Sequence, residues 1–132
     1  MAEWHFYAAG PNPDINSKKY WKNGKSVLER QNVLGPIETA YNWSLSTGYK
    51  TWVGAWMPGN YNKGHNFTIP EQVRFGSFLV KSLDAKNIPW SVNAGKKFFD
   101  YENNEWFTKT TDAGGLPVVH AMLDPNKISL YS

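Results

Sequence analysis

A chain of 132 residues with 41% hydrophobic residues and no cysteine can build one core, and it excludes a disulfide scaffold, a cysteine-ligated zinc site and a thiol nucleophile. The net charge of +3 comes from 14 basic residues scattered singly or in pairs such as Lys18-Lys19 and Lys96-Lys97, without the basic stripe of a nucleic-acid surface. No apolar run approaches the ~20 residues of a membrane span, and Met1-Ala2-Glu3-Trp4-His5 lacks the basic start and apolar stretch of a secretory signal.

Three apolar runs punctuated by Gly, Pro and Asn read as strands. The first is Trp4 to Ala9, stopped by Gly10-Pro11-Asn12-Pro13. Ser26 to Leu34 and then Pro36 to Leu45 read as helical, with Ile37, Ala40, Tyr41 and Leu45 on one face. Gly35-Pro36 predicts a kink or a break between two helices, and Gly48 suits the position just beyond the end. The second strand is Thr51 to Met57, rich in β-formers and stopped by Pro58-Gly59-Asn60. Thr68-Ile69-Pro70-Glu71 is a capping box, and Phe75, Phe78, Leu79, Ser82 and Leu83 then form one face of a helix running to Lys86. Ile88 to Asn93 is the third strand, Lys96 to Thr111 is aromatic and irregular, and Pro117 to Leu123 is a short closing helix.

Strands alternating with helices predict an α/β fold with a parallel sheet, in a single domain over residues 1–132. Ligands of such sheets bind beyond the C-terminal strand ends. His5, Tyr7, Trp56, Trp90 and Asn93 would lie near that rim, with Asn60 and Tyr61 in a loop above it. Amides that hydrogen-bond hydroxyls, set beside rings that stack on pyranose faces, suit sugars. Asn and Gly at these positions also serve simply to build turns.

The strand-ending His5-Phe6-Tyr7, the helix ending in Ser46-Thr47-Gly48 and the following Thr51-Trp52-Val53-Gly54 resemble the last third of family 5 glycoside hydrolases, the cellulase-like retaining enzymes. The resemblance implies that this chain is three C-terminal (β/α) units of a TIM-barrel-like sheet, strands six to eight, in an incomplete barrel. It implies part of an endo-glycanase acting on β-linked polysaccharide, with oligo- or polysaccharide as partner and a secreted setting; His5, His65 and His120 show no metal-ligand spacing, and no metal or cofactor is expected. His5 and Tyr7 match the pair lining the cleaved-sugar subsite. Trp90 matches the stacking Trp of strand eight, with Trp56 as the alternative. Ala55 stands where the family has its nucleophilic Glu, so no catalytic residue is expected here. A non-catalytic carbohydrate-binding protein using the same rings is the competing reading. Three strands with unpaired edges further predict an oligomer or a missing N-terminal barrel portion.

Overall fold

The computed structural model describes residues 1–8, 21–58, 67–93, 98–107 and 115–127. Three parallel strands, β1 (Ala2–Tyr7), β2 (Thr51–Met57) and β3 (Trp90–Val92), form one sheet in the order β1-β2-β3. Helix α1 (Val27–Thr47) joins the first two strands and α2 (Ile69–Ala85) the second and third. A two-stranded antiparallel hairpin, β4 (Phe99–Asp100) with β5 (Glu105–Trp106), follows β3 and leads to α3 (Leu116–Leu123) and a 3-10 turn, Pro125–Lys127. The alternation of parallel strands and helices is as the sequence predicts, and the described strands do not close into a barrel.

Helix α2 carries the core. Its capping box is formed: the Thr68 side chain accepts from the Glu71 N–H and the Glu71 carboxylate accepts from the Thr68 N–H. Phe75, Leu79, Val80 and Leu83 are fully buried against the sheet. The Phe75 ring meets Phe6 of β1 at 5.8 Å and Trp56 of β2 at 6.0 Å. Trp21 closes the far side of this cluster. It is fully buried, set edge-on to Phe75 at 5.5 Å and stacked on Phe78 at 5.6 Å.

Helix α1 departs from expectation. It is one continuous helix of 21 residues with Pro36 in its interior, so no break separates two helices. A proline in a helix interior sacrifices a hydrogen bond and crowds the preceding turn. Here Val33 and Ile37, one on either side of it, are both buried and anchor both halves to the core. Of the expected apolar face, Ile37 is buried, Ala40 and Tyr41 are half-buried, and Leu45 is exposed. The helix ends as expected at Gly48, whose φ of 77° is the left-handed conformation that glycine adopts without steric cost.

The N-terminus of α1 is tied by one carboxylate. Glu29 Oε1 accepts from the N–H groups of Lys22, Asn23 and Gly24, and Oε2 accepts from the N–H and hydroxyl of Ser26. Partial burial alone would raise its pKa. The hydrogen bonds from Asn23, Ser26 and Lys22 outweigh that and hold it at about 2, against an ordinary 4.5. A depressed folded-state pKa contributes stability above the unfolded value, and that contribution is lost as pH falls from 4.5 towards about 2. Glu29→Gln is therefore expected to cost about 1–2 kcal/mol at neutral pH, as loss of a helix cap does. Thermal unfolding at pH 7 and pH 3 checks this, because the gap between wild type and variant narrows at the lower pH.

Both sheet edges are open among the described residues, since β1 and β3 each pair only with β2. An apolar groove of about 460 Å³ runs beside β1, lined by Ala2, Trp4, Pro36, Ala40 and Trp43. Another of about 350 Å³ lies beside β3, between Val92, the hairpin and α3.

Candidate functional site

Strand register decides which side chains can meet a ligand. Across a parallel ladder, paired residues share a face. Trp4 pairs with Val53 and Phe6 with Trp56, and these pairs face the helices. Glu3 pairs with Trp52, His5 with Ala55 and Tyr7 with Met57, so these residues share the opposite face, which is open at Glu3 and His5, half-buried at Trp52, Ala55 and Tyr7, and closed at Met57.

The ladder is interrupted at one place. Trp4 and His5 are consecutive, but their partners Val53 and Ala55 are not, so β2 carries an extra residue. The same excess appears on its other side, where Val53 and Trp56 pair with Trp90 and Val92. Gly54 and Ala55 thus form a β-bulge in which both residues point to the open face. The Ser91 hydroxyl donates to the Gly54 carbonyl at 2.6 Å, and the Asn93 N–H continues the ladder to the Trp56 carbonyl at 2.8 Å.

Five of the seven residues expected at a sugar site lie in described segments. His5 and Tyr7 share the open face of β1, and their i, i+2 spacing aligns them as expected. Asn93 lies just beyond β3 and, by alternation from Val92, belongs to the same face. Asn60 and Tyr61 lie outside the described residues.

The two tryptophans differ from expectation. Trp56 is 0% exposed, packed on Phe75 and at 6.0 Å from Trp90, with Gly76 of α2 leaving room for its ring. A ring with no free face has nothing to offer a pyranose. Trp90 stands edge-on to Trp56, and its indole N–H donates to Asp84 of α2 at 3.2 Å. Its ring therefore belongs to the helix side of the sheet. The bulge is the reason for the placement of Trp56: one extra residue in the strand reverses the in-and-out alternation beyond it.

Carboxylates divide sharply by role. Glu29 and Glu71 cap helices, Glu38 pairs with Lys86 and Asp124 with Lys127. Asp100 accepts from the Asn103 side chain and from the N–H groups of Asn103 and Glu102, which pins the hairpin turn and holds its pKa below the usual carboxylate value. Glu3 differs from all of these, because it lies on the open face with Oε1 at 3.0 Å from His5 Nε2. It precedes the apolar run that marks the first strand in the sequence, which is why pattern reading passes over it.

Comparison with solved structures places this geometry in context. The chain superposes on Cel5A of Thermotoga maritima in complex with cellobiose with a TM-score of 0.63 at 15% identity, over 92% of this chain and 39% of that one. The chain has the fold of part of a family 5 cellulase barrel. An endoglucanase matches this cellulase-type fold with a TM-score of 0.64 at 14% identity, over 93% and 39% of the two chains. The cellulose synthase subunit Z of Clostridioides difficile matches at 0.63 and 13%, over 92% and 40%. The chain thus spans about two fifths of the cellulase-type structures it matches. No family model and no curated protein matches the sequence.

Proposed function

We propose that this chain supplies one side of the sugar-binding cleft of a cellulase-like glycoside hydrolase acting on β-linked polysaccharide. The observation that carries the reading is the open face of the sheet. His5 and Tyr7 share that face of β1 and Asn93 follows the end of the neighbouring strand β3, in a fold shared with cellulases over 92% of the chain. His5 and Tyr7 are the polar contacts and Asn93 is a hydroxyl partner. Unpaired edges on β1 and β3, each beside an apolar groove, support completion of the sheet by further strand–helix units.

A specific observation favours a second reading. Ala55 occupies the position beside His5 where the resemblance expects the nucleophilic carboxylate, and the neighbouring Glu3 carboxylate is engaged by His5. Retaining hydrolysis needs two carboxyl groups about 5–5.5 Å apart. A non-catalytic carbohydrate-binding protein needs neither.

Titration of the chain with cello- and manno-oligosaccharides, alongside reducing-sugar release from soluble β-glucan and mannan, tests both. The expected result is saturable binding without turnover, with binding weakened at least about tenfold in Tyr7→Ala, the loss of one good polar or stacking contact. Absence of binding at millimolar oligosaccharide would overturn the sugar-cleft reading. Clear turnover would overturn the assignment of Ala55 as a disabled position.

A further inference from the structure

The Gly54 bulge does more than turn β2. Gly54 and Ala55 both point to the open face, and the first of them has no side chain. The Glu3 side chain lies in the slot so left, and a Cβ built on Gly54 would overlap the Glu3 carboxylate. From that slot Oε1 reaches His5 Nε2 at 3.0 Å, with the two side chains 48% and 51% exposed. A carboxylate in contact with an imidazole can only accept, so the ring nitrogen facing it must carry the proton. His5 then has Nε2–H directed at Glu3, and in the neutral ring Nδ1 is left with a lone pair. Among the described residues Nδ1 has no hydrogen-bond partner.

We propose that Glu3 is a positioning residue: seated in the slot left by the Gly54 bulge, its carboxylate fixes the His5 proton on Nε2, and Nδ1 is thereby presented as an acceptor for a hydroxyl of a bound sugar. The proposal rests on the sugar-cleft reading for its ligand and on geometry alone for its tautomer. Two features of the sequence that look unrelated, a glutamate at the start of β1 and a glycine in the middle of β2, become parts of one device. Ala55, the second residue of the bulge, is small enough to leave His5 approachable from the side of β2.

Long-range 1H–15N NMR correlation of the histidine rings at about pH 8, above the ordinary imidazole range, reads the tautomer directly. The His5 signals are assigned by their loss in His5→Gln. The wild type is expected to show the Nε2–H form alone. Glu3→Ala removes the acceptor, and Gly54→Ala leaves the acceptor but displaces it. Both are expected to shift the two ring nitrogens towards a mixture of tautomers. A Glu3 with only a structural role would alter the melting temperature and leave these shifts unmoved. Titration with cellobiose and with mannotriose supplies the second readout, with affinity for whichever sugar the wild type binds falling about tenfold in both variants, the equivalent of one hydrogen bond. Ring shifts unchanged in both variants overturn the positioning role. Shifted rings with undiminished sugar affinity overturn the acceptor role of Nδ1. Failure of the wild type to bind either sugar overturns the sugar-cleft reading and the acceptor role together, while the ring shifts still decide whether Glu3 holds His5.

Discussion

Trp56→Ala is expected to destabilise the protein by about 3–5 kcal/mol, the range for removing a fully buried large aromatic from a packed core. The indole fills the space between Phe75, Trp90 and the Cα of Gly76, whose missing side chain lets the ring within 3.3 Å of where a Cβ would stand. α2 cannot collapse onto β2 to refill a gap of that size without disturbing Phe75 and its stack on Phe6. Trp56→Phe separates packing from polarity. Among the described residues the buried Trp56 Nε1–H has no hydrogen-bond partner, and such a donor costs about 1–3 kcal/mol. Phenylalanine loses ring volume but also removes that donor, so the two effects oppose and the variant is expected to lose far less than alanine. Urea unfolding with a constant m-value checks both. A sugar platform would behave in the opposite way, with Trp56→Ala folding as well as the wild type and losing only oligosaccharide affinity.

The contrast between strands and faces shows what the sequence makes legible. β2 begins at Thr51 and ends at Met57 as its composition and the following Pro58-Gly59 indicate, and α2 is bounded by its capping box. Those are local signals, written in adjacent residues. Which way Trp56 points is different. It depends on a bulge at Gly54, which an isolated glycine inside a strand hints at but only pairing with β1 and β3 locates. The same holds for Trp90, whose partner Asp84 lies on another element. The hairpin was invisible for another reason: its strands are two residues each, too short for any alternation. Its turn is made by Asn104 at a φ of 54° and by the Asp100 carboxylate rather than by glycine. His5 and Tyr7 were legible because spacing of two along a strand fixes a common face without reference to any neighbour.

The Ala55 position gives the sharpest separation between the two functional readings. Register puts it on the open face, paired with His5 and one residue from the Gly54 slot. Ala55→Glu would therefore bring a carboxylate beside an imidazole, on the face that also carries Glu3. In the isolated chain the substitution is expected to give no turnover, since Glu3 is held by His5 and a separate carboxyl group is needed to protonate the leaving oxygen. In a barrel completed by fusion to the remaining strand–helix units of a cellulase such as Thermotoga maritima Cel5A, it is expected to raise hydrolysis of soluble β-glucan on the order of a hundredfold or more, nearly 3 kcal/mol of barrier. A second carboxylate close to Glu3 also competes for the His5 N–H, so the gain should be larger when Glu3→Gln is combined with it. A completed barrel that binds β-glucan oligosaccharides with unchanged affinity yet stays inactive with Ala55→Glu would mark the cleft as one shaped for holding sugar alone. In that case the alanine is a consequence of that role rather than its cause.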